Sequence, residues 1–389
     1  MSKSTELVKH VQAGLKERNQ TSRPFFAQEA PRLAKVSQQM AERFLQGGRL
    51  LAFGKGCYTT DAQHVSVEFV HPVIVGKRAL PALDISIAFE PWLNTLLRPQ
   101  DMVMGFGPPG GDVEVSEALA WAQAGGAFTF SLPGSTGDYA VVSPSAHPFI
   151  HQELIEVLYH TLWESVHVFL EHRQLGQSAG EASFLYPFLG ERKQDTDAVL
   201  TQVATSIEAK ATEVETLREK LIEQAEGIAA AVEAIRERLR LGGKIIAMGN
   251  GGSATDANDL VLDCIAPPLG WKPIPAISLS WEAANITAIA NDVGKEVIFL
   301  RQLIAQATEG DVVLAISTSG GSKNLLMALE EARKQKLLTV ALLGYDGGEI
   351  ARQGLCDHAV VVDCDYIPRI QEVQASVYHL MLELLSTPS

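Results

Sequence analysis

Residues 245–257 read IIAMGNGGSATDA. Four apolar side chains in a row suit a strand buried on both faces, and the Gly-Asn-Gly-Gly-Ser that follows suits a tight turn into a helix. In that setting glycines let the backbone approach an anion, and the helix N-terminus offers N–H groups and the positive end of its dipole. Asn250, Gly251, Gly252 and Ser253 are therefore candidate phosphate-binding residues. The stretch is not a dinucleotide fingerprint, because the third glycine position holds Ala254, and the chain contains no GxxxxGK[ST] P-loop.

The same junction occurs earlier as LLAFGKGCYTTDA from Leu50. Gly54 and Gly249, Asp61 and Asp256, and Ala62 and Ala257 are each 195 positions apart. Farther on, Asp101 answers Asp311 at an offset of 210, and Gln152 answers Gln371 at 219. A chain of 389 residues with such offsets reads as a diverged tandem duplication. The bounds expected are residues 1–173 for the first copy and 195–389 for the second. The stretch QLGQSAGEASFLYPFLGERKQ, residues 174–194, reads as a linker. Each copy alternates short aliphatic runs with amphipathic segments, which predicts α/β domains, each a parallel sheet with helices on both faces. In the second copy the strands are expected near residues 244–248, 273–279, 312–316, 339–343 and 359–362, with a closing helix near 370–385. Helices are also expected over residues 30–46 and 195–241.

Composition sets limits. The net charge of −14 disfavours a general nucleic-acid binder, so any phosphate must be held by local geometry. The polar start MSKSTELVKHVQ has no signal-peptide core, no apolar run is long enough to span a membrane, and the four cysteines form no CxxC pair. The expectation is a cytoplasmic protein without direct membrane or nucleic-acid partners.

A second hydroxyl-rich turn, Ser317-Thr318-Ser319-Gly320-Gly321-Ser322, follows another aliphatic strand. Ser317, Thr318, Ser319 and Ser322 can donate hydrogen bonds to phosphate oxygens without adding charge. Two such turns at the carboxyl ends of strands in one sheet are what a ligand site in an open α/β fold requires.

In order, GNGGS with xxDA, NDVG, STSG, GYDGGE and RIQEV…H resemble the sugar isomerase (SIS) domain, and within it the sedoheptulose 7-phosphate isomerase branch. The resemblance covers about residues 193–385, and residues 28–172 look like a degenerate version. It implies two tandem SIS domains, each a flavodoxin-like three-layer sandwich. It also implies a sugar phosphate, such as sedoheptulose 7-phosphate, isomerised through an enediolate. In the family a glutamate and a histidine shuttle protons and some members bind zinc, while no other cofactor is required. Carried onto this chain, the proton-handling residues are Glu68, His160, Asp263 and His379, and Asp292 and Gln371 orient the sugar. A zinc ion would fall to His64, Glu68, Gln152 and His160. Family tetramers imply a homodimer of this chain, giving four SIS units.

The two copies depart from the family pattern in opposite directions. The pattern DAQHxxxE is intact in the first copy at Asp61, Ala62, Gln63, His64 and Glu68, while the second holds Asp259 and Asp263 in the last two slots. Conversely, the first copy has Lys55, Cys57 and Tyr58 for Asn250, Gly252 and Ser253, and Gly107-Pro108-Pro109-Gly110 for the serine turn. The competing expectations are a non-catalytic scaffold with a protein partner, related to the branch that associates with the replication initiator, and a phosphosugar sensor.

Overall fold

The computed structural model describes residues 3–73, 76–174 and 196–386. The first half runs α1 (Lys3–Leu45), β1 (Leu50–Gly54), α2 (Thr59–Val70), β2 (Ala82–Asp84), α3 (Phe89–Leu96), β3 (Met102–Phe106), α4 (Val113–Ala124), β4 (Phe128–Leu132), β5 (Tyr139–Ala140) and α5 (Pro148–Gln174). The second runs α6 (Thr196–Leu221), α7 (Ala225–Arg240), β6 (Ile245–Met248), α8 (Gly252–Ile265), β7 (Ala276–Ser278), α9 (Ala283–Asp292), α10 (Ile298–Gln306), β8 (Val312–Ser317), α11 (Lys323–Lys334), β9 (Leu338–Gly344), α12 (Gly348–Arg352), β10 (His358–Val362) and α13 (Ile367–Ser386).

Both sheets are five-stranded and parallel, in the orders β2-β1-β3-β4-β5 and β7-β6-β8-β9-β10. Numbered within each copy, both are 2-1-3-4-5, the flavodoxin-like order. The sequence explains why the strands are parallel and central. Leu50–Gly54, Met102–Phe106, Phe128–Leu132, Ile245–Met248, Val312–Ser317 and Leu338–Gly344 are buried along their whole length. Only a sheet covered on both faces accepts such runs. In the C-terminal sheet alternate residues Ile246, Met248, Val313, Ala315, Ala341 and Leu343 pack against Phe299, Leu303, Leu325 and Leu329 of α10 and α11. Helices α7, α8 and α13 contact the strands on the other side. The N-terminal sheet repeats this, with Leu51, Phe53 and Val103 against Leu93, Val115 and Leu119.

The chain divides into two compact units. Residues 20–213 form the N-terminal unit, and the residues through Asn19 join those from Val214 onward in the C-terminal unit. The expected linker falls outside the described residues. The helix expected over 30–46 is part of the longer α1, whose 43 residues include Pro24 and Pro31. The segment expected over 195–241 is two helices, α6 and α7, joined by a 3-10 turn at Ile222–Gln224.

Candidate functional site

In a 2-1-3-4-5 sheet the chain leaves the first and third strands toward opposite sides, and the crevice between their carboxyl ends is where ligands bind. In the C-terminal unit those strands are β6 and β8, paired from Ile245↔Val312 to Met248↔Ala315. The Gly249–Ser253 and Ser317–Ser322 turns therefore leave neighbouring strands at the same end. The first turn reaches the helix that the second one opens: the Asn250 amide donates to Asn324 Oδ1 at 3.1 Å, and the Asn324 amide donates back to Asn250 Oδ1 at 2.8 Å. Asn324 lies in the first turn of α11, and sequence reasoning missed it. Its position two residues past Ser322, on the helix that the serine turn opens, was the available signal.

Local geometry explains the glycines. A Cβ on Gly249 would stand 2.0 Å from the Ser253 carbonyl oxygen, and Gly251 caps α8 at φ 59°. Gly54 has the same constraint, 2.0 Å from the Tyr58 carbonyl. The Ser280 hydroxyl receives the Gly249 N–H at 3.0 Å and donates to the Gly249 carbonyl at 2.8 Å, fixing the turn from below. In the serine turn, Ser317 Oγ accepts the Gly320 N–H at 3.0 Å and Ser319 Oγ accepts the Gly321 N–H at 3.3 Å. Ser322 is the N-cap of α11 without a side-chain capping bond. The GYDGGE stretch buttresses this turn. The Ile350 N–H donates to the Gly320 carbonyl, and a Cβ on Gly320 would lie 2.1 Å from the Gly347 carbonyl oxygen.

Helix α8 carries Asp259 and Asp263 away from the turn, on one face at a spacing of four. They meet His379 of α13, whose Nε2 stands 3.2 Å from Asp263 Oδ2 and 3.4 Å from Asp259 Oδ2. The Tyr378 hydroxyl donates to Asp259 Oδ2 at 2.8 Å, and all four side chains are buried. Gln371 is buried on the same helix, whereas Asp292 is exposed at the end of α9, where its carboxylate accepts the Asn291 amide.

In the N-terminal unit the corresponding place brings His64 of α2 and His160 of α5 together, Nε2 to Nε2 at 3.3 Å. That equals the edge of a tetrahedron about an ion bonded to nitrogen at about 2.0–2.1 Å, so the pair fits zinc. The third ligand within reach is Glu156, one turn before His160 on the same helix face; ligand atoms of His64, Glu156 and His160 lie within 4.8 Å of one another. Sequence reasoning missed Glu156; its spacing of four from His160 was the available signal, and it does not say which helix face meets His64. Of the residues expected, Glu68 Oε1 is 3.9 Å from His64 Nε2, and the Gln152 amide donates to Asp61 at 3.2 Å.

Where the second unit has its hydroxyl turn, the first has a different chemistry. Lys55 Nζ lies 2.8 Å from Glu114 and 3.5 Å from Asp112, and Asp112 Oδ1 caps α4 by accepting the Val115 N–H. The hydrogen bond to Glu114 holds the Lys55 ammonium above its ordinary pKa. His151 is buried between the Ser143 hydroxyl and the Gly107 carbonyl, and burial pushes its imidazole down to about 4.

Comparison with known proteins agrees with this geometry. The family profile described as the SIS domain matches residues 211–344. A phosphoheptose isomerase of Geotalea daltonii is 45% identical over 159 residues, 41% of this chain and 82% of the relative. That of Nitratiruptor is 43% identical over 150 residues, 38% of this chain and 79% of the relative. Over 97% of this chain, the fold is shared with the C-terminal domain of glucosamine-fructose-6-phosphate aminotransferase from Francisella tularensis, at a TM-score of 0.64, 8% identity and 95% coverage of that chain. Tagatose-6-phosphate ketose/aldose isomerase from Escherichia coli is similar over 97% of this chain and 92% of its own, at a TM-score of 0.52 and 13% identity. At these identities the two structures speak for the fold alone.

Proposed function

The chain belongs to the SIS-domain family, with phosphoheptose isomerases among its relatives, and from that premise we propose that its C-terminal unit binds a ketose or aldose phosphate such as sedoheptulose 7-phosphate and isomerises it. The observation that carries this reading is that the two turns leave the neighbouring strands β6 and β8 at the same end, with the first tied by the Asn250–Asn324 pair to the helix that the second opens. There the α8 N-terminus and the hydroxyls of Ser253, Thr318, Ser319 and Ser322 receive the phosphate.

Asp263 is ten residues along α8 from Ser253, about 15 Å at about 1.5 Å per residue. That separation favours a long sugar phosphate over a triose phosphate. With the phosphate fixed at the turn, the far end of the sugar lies at the Asp259–Asp263–His379 cluster. His379 takes the carbon-bound proton and returns it to the adjacent carbon, while the hydroxyl proton passes to the carbonyl oxygen across the enediolate, and the two carboxylates hold the imidazole and stabilise its protonated form. Gln371 orients the hydroxyls from α13, and Asp292 keeps the same role from α9. In the N-terminal unit His64, His160 and Glu156, with Glu68 and Gln152 around them, would hold a zinc ion. Such an ion would supply Lewis-acid polarisation of a carbonyl.

Proton NMR of sedoheptulose 7-phosphate in deuterium oxide tests the reading. Isomerisation exchanges a carbon-bound proton or yields the aldose, and His379→Asn lowers the rate at least about a hundredfold. A second reading, a sugar-phosphate binder without turnover, is favoured by Asp259 and Asp263 standing where the family pattern has histidine and glutamate. Binding without exchange by the parent chain selects it. We also propose a homodimer, which light scattering checks.

A further inference from the structure

The same turn-to-helix contact exists in both units, neutral in one and ionic in the other. At the 195-residue offset Lys55 corresponds to Asn250, and at the 210-residue offset Asp112 and Glu114 correspond to Ser322 and Asn324. The structure keeps the correspondence. Asn250 bonds Asn324 through two neutral amides, and Lys55 is paired with Glu114 and Asp112. Each contact spans the first turn and the helix that follows the third strand.

The surroundings differ in the same sense. Where the C-terminal unit has the hydroxyls of Ser317, Thr318 and Ser319, the N-terminal unit has Gly107, Pro108 and Pro109, which bring no hydroxyl, and the two prolines bring no N–H. The N-terminus of α4 already has an anion: Asp112 Oδ1 accepts the Val115 N–H at 3.1 Å, whereas Ser322 makes no such capping bond on α11. The Lys55 ammonium, the one cation that the first turn adds, is shared between two carboxylates.

We infer that Asp112 and Glu114 are the specificity determinants of the N-terminal unit: with Lys55 they form an internal salt that takes the place of a ligand's phosphate, so each chain seats one sugar phosphate, in the C-terminal unit. The neutral Asn250–Asn324 pair with Ser322 is the permissive form of the same contact. Asn324 thereby acquires a role, holding the two turns at phosphate-binding distance without contributing charge. This inference rests on the reading that the C-terminal turns seat the phosphate, and its test separates the two.

The full chain is titrated with sedoheptulose 7-phosphate by calorimetry. One equivalent per chain is expected for the parent. Grafting the N-terminal set onto the C-terminal unit, as N250K/S322D/N324E, is expected to weaken binding at least thirtyfold. S322D alone, which keeps a good N-cap and so guards against loss of folding, is expected to weaken it at least tenfold, while S322A costs less than fivefold. Two equivalents in the parent, or a grafted chain that binds as the parent does, overturns the inference. The reverse exchange, D112S/E114N, is titrated with inorganic phosphate and is expected to gain one equivalent over the parent; no gain overturns the inference. If the parent binds no sugar phosphate, the proposed function falls, and the reverse exchange alone decides the inference.

Discussion

At the scale of single residues, His151 makes the N-terminal unit acid-sensitive. Its ring faces the Ser143 hydroxyl, the Gly107 carbonyl and the edge of Tyr58, so the folded state holds it neutral. Burial lowers its pKa from 6.5 to about 4, so between those values the unfolded chain binds a proton that the folded one refuses. Stability therefore falls as pH drops through that window, by on the order of 3 kcal/mol for this group. His167, lowered by burial in the same unit, acts in the same direction. Denaturant melts at pH 7.5 and 4.5 are expected to show a smaller pH-dependent loss in His151→Gln than in the parent. Much of the candidate site's local geometry was legible in sequence, because glycines in tight turns and hydroxyls at helix starts leave local patterns. Glu156 and Asn324 were not, since each acts with a partner remote in sequence: Glu156 and its neighbour His160 meet His64, which is 96 positions before His160, and Asn324 meets Asn250, 74 positions before it. Only the folded chain says which face of α5 or α11 points to that partner.

Helices and strands were readable wherever burial was two-sided. Runs such as Val312–Ser317 can be little else than interior strands, and the closing helix is found at Ile367–Ser386. What sequence could not reveal is where a helix docks. The start of α1 belongs with the C-terminal unit: Val11 and Leu15 are fully buried, Arg18 pairs with Glu383 at 2.7 Å, and Asn19 donates to the Glu215 carbonyl. Gly14 allows the approach, because a Cβ there would stand 2.3 Å from Leu380. Deleting residues 1–19 uncovers that side of α13 and leaves Glu383 without Arg18. Hydrogen exchange is expected to quicken at least tenfold across residues 376–384, with α5 unchanged. Equal protection in the deleted chain contradicts this docking.

For the whole molecule the telling quantity is the charge of −14 set against the dianionic ligand proposed above. In the proposed reading, long-range repulsion slows the encounter, and the C-terminal turns bind through hydrogen bonds that act only at contact. Salt screens the first effect far more than the second. Stopped-flow association of a sugar phosphate is therefore expected to speed up two- to fivefold between 20 and 200 mM salt, with little change in the dissociation rate; slower association would mean that a local positive field outweighs the net charge. The placement of the chain's first helical turns also bears on synthesis. Residues 20–213 are continuous, so that unit has all its parts as soon as they leave the ribosome. Arg18 leaves the ribosome well before its mate, which is 365 positions behind it. During translation the segment around Arg18 waits with its apolar stripe uncovered until the trailing helix arrives.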